Sequence, residues 1–208
     1  MPLIDITRTL SPSIAVWPGD TPFLLQTMMA KAAGQSVNLT TLTLSAHTGT
    51  HADAPYHFDE TGMRMEQVDL EHYWGLAQVV TVDRSSGPLT PEDFSHVDFS
   101  RASRLLVRSV AGPIDAGVFP SAIVYPSPAL ADELARYGIV LYGADTPSMD
   151  AIDSTTLPGH HALHRNGIAI LENLYLYGVA DGLYELVAFP LKIQGGDGSP
   201  VRAVLKTL

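Results

Sequence analysis

Along this chain short, largely apolar runs lie between prolines and glycines spread as turn markers, and they read as strands far more often than as helices. Leu3 to Thr7 predicts a short strand, and Phe23 to Ala30 reads as extended. In VNLTTLTLSA, Val37, Leu39, Leu42 and Leu44 sit among β-branched threonines, which predicts a half-buried strand with a phase slip after Leu39. Further strands are predicted over Leu76 to Val82, Leu105 to Ser109, Ile139 to Tyr142, Ile168 to Glu172, Tyr184 to Ile193 and Val201 to Lys206. Helical signals are fewer. SPALADELARYG, Ser127 to Gly138, has a serine cap, proline at the first helical position and a closing glycine, with Leu130, Leu134 and Tyr137 on one face. Shorter helical pieces are expected over Met65 to Trp74, Thr90 to Phe94 and His160 to Arg165, and WPGDTP, Trp17 to Pro22, is a turn. The pattern predicts an α/β chain in which strands dominate.

With 208 residues, one well-buried core and no compositional break, the chain reads as a single strand-rich mixed domain over residues 1–208. Its 46% hydrophobic and 16% charged residues are globular proportions, and no apolar run approaches the roughly twenty residues of a membrane helix. A soluble protein with no membrane partner is expected. The formal charge of −10, with no Lys/Arg cluster, repels phosphate backbones and anionic lipid, so no nucleic acid partner is expected either. MPLIDITRTL has neither the basic segment nor the apolar core of a secretion signal. The absence of cysteine fits a cytoplasmic location, and it confines any metal site to nitrogen and oxygen donors.

That last restriction gives weight to the histidines. Six of the eight fall in two groups: His47, His51 and His57 in HTGTHADAPYH, and His160, His161 and His164 in HHALHR. A spacing of four suggests a helix, but Thr48, Gly49, Thr50 and Pro55 are poor helix residues. In a straight strand His47 and His51 stand roughly 13 Å apart, near the limit for sharing an ion, so the chain must bend at Gly49. Asp53 then falls two residues beyond His51, on the same side of an extended segment. A polar surface loop is the alternative reading of this stretch. The N/O donor set suits Zn²⁺ and also accommodates Mn²⁺. Glu172 ends the apolar run IAILEN; a carboxylate at a buried strand edge needs a cation or a partner, which Arg165 or Lys192 can also supply.

HTGTHADAPYH fits the His-x-Gly-Thr-His-x-Asp-x-Pro-x-His signature, and the chain resembles the metal-dependent cyclase-like hydrolases, specifically their bacterial kynurenine formamidase branch. The similarity spans nearly the whole chain, through VWPGDTPF, GADTPSMDAIDS, HHALHRNGIAILE and ELVAFPLKIQGGDGSPVRAVL. The resemblance implies the cyclase-like, swivelling β/β/α fold and two divalent metal ions per subunit, usually Zn²⁺. It assigns His47, His51 and Asp53 to the first ion, His160 to the second, and makes Asp53 and Glu172 bridges. It further implies that His57 donates and accepts protons, that Trp17 lines the substrate pocket, and that the protein is a homodimer or larger homo-oligomer. Apolar carboxy-terminal segments are the expected interface strands. Pro158 and Gly159 precede the histidine pair, and the choice between His160 and His161 stays open.

The reaction implied is hydrolysis of the small molecule N-formyl-L-kynurenine to L-kynurenine and formate in tryptophan breakdown. Residue chemistry agrees: a bound metal lowers the pKa of water from 15.7 toward about 7, and a second can polarise the formyl oxygen. There is no cysteine and no Gly-x-Ser-x-Gly elbow to supply another nucleophile. Imidazole titrates near neutrality, which suits His57 to move the proton. Two rival readings remain at this stage, a hydrolase of cyclic amides or imides with the same ligands, and a metal-binding protein without catalysis.

Overall fold

The computed structural model describes residues 2–110, 112 and 115–208. Its framework is a curled sheet of nine strands in the order β1-β13-β11-β5-β7-β9-β10-β4-β12. These are β1 (Leu3–Asp5), β4 (His51–Asp53), β5 (Trp74–Val82), β7 (Arg104–Ser109), β9 (Leu141–Ala144), β10 (Ala169–Glu172), β11 (Gly182–Val187), β12 (Gly198–Pro200) and β13 (Val204–Thr207). The central β5, β7, β9 and β10 run parallel, and the outer pairings are antiparallel. The curl brings the chain just after β1 to the far half of the sheet, where Tyr175 N donates to Ile6 O at 2.8 Å. Two small sheets complete the strands: the hairpin of β2 (Leu24–Met29) with β3 (Leu39–Thr43), and a parallel pair of β6 (Gly87–Leu89) with β8 (Val124–Pro126).

The near-continuous apolar runs of the central strands build a core on each face of the sheet. Val79, Leu106, Leu141 and Leu171 point into the curl, where Ile6, Tyr73, Leu186 and Leu205 meet them. Their neighbours Val80, Leu105, Val107, Tyr142 and Ile170 point the other way, against two helices, α1 (Pro128–Arg136) and α2 (Pro158–Arg165). Successive strand side chains take opposite faces, so a strand buried on both must be apolar almost throughout. In α1, Ser127 Oγ accepts from Leu130 N at 3.2 Å, and Leu130 and Leu134 are fully buried. Tyr137 departs from the expected buried face: it is the C-cap, about half exposed, with its ring against Phe99.

Other departures have local causes. Met65 to Trp74 forms two short 3-10 turns, Met65–Gln67 and Leu70–Tyr73, because Trp74 already belongs to β5. The strand expected from Ile139 starts at Leu141, since Ile139 N still closes the end of α1 on Leu134 O. β11 stops at Val187, and Pro190, which has no N–H to donate, bridges to Val201 instead. The segment Val37 to Ala46 is the clearest correction: Leu39 and Leu42 are 49% and 55% exposed, because no second layer of the described residues packs on the hairpin. No described helix is long and apolar enough to cross a membrane.

Candidate metal centre and its cavity

Three segments deliver the donor side chains. Gly49, at φ +70°, turns the chain into β4, and a Cβ there would meet Leu10 Cδ2 at 2.7 Å. Along β4, Ala52 goes into the inner core, so His51 and Asp53 share the opposite face. β10 lies antiparallel to β4 with Glu172 directly across from His51, which places its carboxylate on that same face. α2 covers the face and presents His160 from its first turn.

Asp150 fixes that helix start. Its carboxylate accepts from Gly159 N at 2.7 Å, from His160 N at 3.1 Å and faces His160 Nδ1 at 2.7 Å. The backbone comes so close at Gly159 that a Cβ would lie 2.0 Å from Met149 O. The Pro158-Gly159 step therefore serves a close approach and leaves His160 directed inward. His161 is exposed, and His164 is half-buried; both rings stand against Phe58, at 5.5 and 5.7 Å.

The donors converge in two overlapping buried triplets, His47, His51, Asp53 and Asp53, His160, Glu172, and in a third, more exposed one, His47, His57, Asp197, each with ligand-type atoms within 4.8 Å of one another. His47 Nδ1 and His51 Nε2 lie 3.1 and 3.3 Å from Asp53 Oδ1. His160 Nε2 lies 3.5 Å from Asp53 Oδ2 and 3.4 Å from Glu172 Oε1, and His51 Nε2 is 3.4 Å from Glu172 Oε2. These are ion-pair separations, but they are misaligned for hydrogen bonding. His51 Nε2, both Asp53 oxygens and Glu172 Oε1 are buried without a hydrogen-bond partner. Each unmet buried polar atom costs roughly 1–3 kcal/mol, more when charged, and here all four unmet atoms sit at one point. A divalent cation satisfies them together, so the residues fit a metal.

The far side of each imidazole is also arranged. His51 Nδ1 faces Gly49 O at 2.9 Å, His160 Nδ1 faces Asp150, and His47 Nε2 faces Asp197 Oδ2 at 3.0 Å. Such outer acceptors fix the tautomer and leave the inner nitrogen free to ligate. Asp150 and Asp197 were not picked out from sequence. Both lie in turn-rich stretches, DTPSMDAIDS and GGDGSP, where an aspartate is indistinguishable from an ordinary turn former.

Burial disfavours protonated imidazole, yet the surrounding carboxylates outweigh it. His47, beside Asp197 and Asp53, is pushed up to about 9, and His51, beside Asp53 and Glu172, up to about 10. Asp150, Asp53 and Glu172 hold His160 well above its ordinary value. Burial and Asp53 work against ionisation of Glu172, but His160 and His51 prevail and its pKa falls. Asp53 is likewise held well below the usual carboxylate range despite its burial, by His160, His47 and His51. The buried carboxylates thus make the inward imidazole nitrogens a favourable place for positive charge.

Above this floor opens a cavity of about 390 Å³. His57 lies at its side, one third exposed, with its ring 4.0 Å from that of His47 and its Nδ1 3.3 Å from Asp197 Oδ2. Trp17 lies on an apolar part of the wall with Val118 and Phe119. It is 38% exposed, and its indole meets Phe119 edge-to-face at 5.3 Å, so it is not a core residue. All seven residues singled out from sequence thus border one cavity or its floor.

A family model described as "Putative cyclase" matches residues 4–151. The chain belongs to the cyclase family. This cyclase-family chain is 45% identical over 207 residues to the kynurenine formamidase of Geobacillus thermodenitrificans, covering 100% of this chain and 98% of the relative. It is 44% identical over 207 residues to that of Salinibacter ruber, covering 99% and 98%. Among solved structures, a "predicted metal-dependent hydrolase from Bacillus stearothermophilus" superposes with a TM-score of 0.82 at 25% identity, covering 98% of this chain and 97% of that one.

Proposed function

We propose that this protein is a metal-dependent kynurenine formamidase, hydrolysing N-formyl-L-kynurenine to L-kynurenine and formate in tryptophan degradation. The observation that carries the reading is the pair of donor triplets sharing Asp53 on the floor of a cavity with an aromatic wall. Full-length similarity to kynurenine formamidases supports it. His47, His51 and Asp53 would hold one divalent ion, and Asp53, His160 and Glu172 a second, with Asp53 and Glu172 shared. The all-N/O donor set favours Zn²⁺, with Mn²⁺ the alternative. Such ions supply acidified water and Lewis-acid polarisation of a carbonyl.

The protein's own groups do the rest. His57 takes the proton that water loses as its oxygen bonds to the formyl carbon. It returns that proton to the aryl nitrogen as the C–N bond breaks, so the amine departs neutral. Asp197 accepts from His57 Nδ1, which leaves Nε2 for this transfer. Trp17 stacks on the planar aryl ketone, and the apolar wall keeps bulk water from the leaving amine.

Residues 1–208 act as one domain in this reading, in the cytoplasm; without cysteine the chain has no disulfide that would need an oxidising compartment. They assemble as a homodimer or larger. The support for assembly is the β2–β3 hairpin, whose Leu24, Leu25, Met28, Leu39 and Leu42 are about half exposed; a two-stranded sheet of that composition is marginal alone. The carboxy-terminal β13 is less suited than expected from sequence, since β1 and β11 already pair with both of its edges.

The test is metal analysis of purified protein together with assays on formylkynurenine and on cyclic imides, before and after chelation. Metal-dependent formylkynurenine turnover is expected. Preferential opening of a cyclic imide would point to another hydrolase of the family, and bound metal without any turnover would sink the catalytic reading.

A further inference from the structure

Arg8 is an anomaly of the cavity wall. It follows β1 into the interior and is only 6% exposed, yet most of its hydrogen-bonding capacity is unused. Nη2 donates to the main-chain oxygen of Asp145 at 3.3 Å, and Cζ stands 5.9 Å from the Tyr175 ring. Nε and Nη1 have no partner. The Asp145 carboxylate, whose charge acts on Arg8, instead accepts from Ser109 N and Ser109 Oγ at 2.9 and 3.0 Å.

A buried lysine or histidine can escape such a position by losing its proton, but a guanidinium does not. A buried cation with idle N–H groups is costly unless an anion completes it. Among the described residues lining the cavity, Arg8 is the only lysine or arginine; Asp20, Glu172 and Asp197 make the remaining charged wall acidic. An anionic ligand group entering this space has one described protein cation outside the histidine–carboxylate cluster to meet.

We infer that Arg8 is the carboxylate-recognition residue of the cavity. It takes the carboxylate at the amino-acid end of the substrate, while the formyl group lies over the donor cluster and the aryl ring against Trp17. The inference rests on the formamidase reading and adds a specificity to it: the enzyme selects formylated arylamines that carry an acid over neutral ones. A charge-assisted hydrogen bond of this kind corresponds to roughly a 10- to 100-fold preference.

The experiment compares kcat/KM for N-formyl-L-kynurenine with kcat/KM for 2-formamidoacetophenone, which keeps the aryl ketone and lacks the amino-acid end. The ratio of the two cancels any loss of active fraction. In Arg8→Gln the ratio should fall by roughly 10- to 100-fold, chiefly through KM for the acidic substrate. A ratio equal to that of the unmodified protein, with both substrates slowed alike, would overturn the inference and leave Arg8 a structural residue. Should the variant not fold, the unmodified protein decides with the methyl ester of formylkynurenine: a loss of the same size supports the inference, and an ester as good as the acid overturns it. Turnover of the neutral formanilide without preference for formylkynurenine also overturns it, whereas no formamide hydrolysis at all would sink the formamidase reading instead.

Discussion

The two histidine groups reach the same cavity by different geometries. His47, His51 and His57 all border it, whereas of His160, His161 and His164 only His160 does; the other two pack around Phe58 outside. The first group lies on a turn, a strand and a short 3-10 turn, where a bend at Gly49 and a period of two keep successive donors on one side. The second lies on a helix, where adjacent residues diverge by about 100° and a residue four on lies a full turn further along the axis. Three histidines in a row of eleven residues can therefore all be used. Three on a helix of this length are mostly spent on its flanks, and what qualifies one of them is an outside carboxylate, Asp150, that seizes it.

The most severe way to test this comparison is to remove a carboxylate that both groups face. Asp53→Ala or Glu172→Ala should lose bound metal by elemental analysis and take turnover to background. Full metal loading with normal turnover in either variant would refute the site. His57→Asn separates bordering the cavity from ligating: metal should stay while kcat falls by about 10² to 10⁴-fold. Loss of metal in that variant would make His57 a ligand.

The inward imidazoles should also exchange protons for metal. With His47 at about 9 and His51 at about 10 in the metal-free chain, both are charged at neutral pH. Metal binding must displace those protons, so affinity should weaken by about tenfold per pH unit for each proton released as pH falls. The stability signs are opposed. Raised folded-state values stabilise the metal-free fold below about pH 6.5 and lose that contribution as pH climbs toward 9 and 10. The gain in Tm on adding metal should accordingly grow across that range, and a gain independent of pH would contradict the exchange. Calorimetry in buffers of different ionisation enthalpy counts the protons directly.

A smaller effect is expected from Asp150→Asn, which loosens the grip on His160 without removing a donor: about 10- to 100-fold in metal affinity. The smallest belongs to the outer pair. His161→Ala and His164→Ala should retain metal and change stability by no more than about 0.5 kcal/mol. Metal loss from His161→Ala would reverse the assignment within the pair.

Several features were readable before any tertiary contact was known. The strand runs Leu105 to Ser109 and Ile168 to Glu172, the capped helix at Ser127, and the turn at Trp17 are each set by a handful of neighbouring residues. The common face of His51 and Asp53 was readable for the same reason, since a two-residue spacing in extended chain fixes it. The hairpin strands were legible as strands but not as exposed ones. Alternating leucines and threonines specify a sheet with an apolar face, and whether anything covers that face depends on chain far from it or on another molecule.

Sequence by itself thus determined the kinds of donor available, the absence of thiolates, the order of the elements and the local faces. Only the tertiary structure decided that Glu172 stands across from His51, that Asp150 holds His160 and not His161, that Asp197 joins His47 to His57, and that Arg8 lies buried on the cavity wall with unpartnered donors. The physical reason is one of range. Backbone period and capping are energies of residues a few positions apart, whereas strand register and helix docking follow from apolar burial summed over both faces of a nine-stranded sheet, to which almost every segment contributes and which no single motif displays.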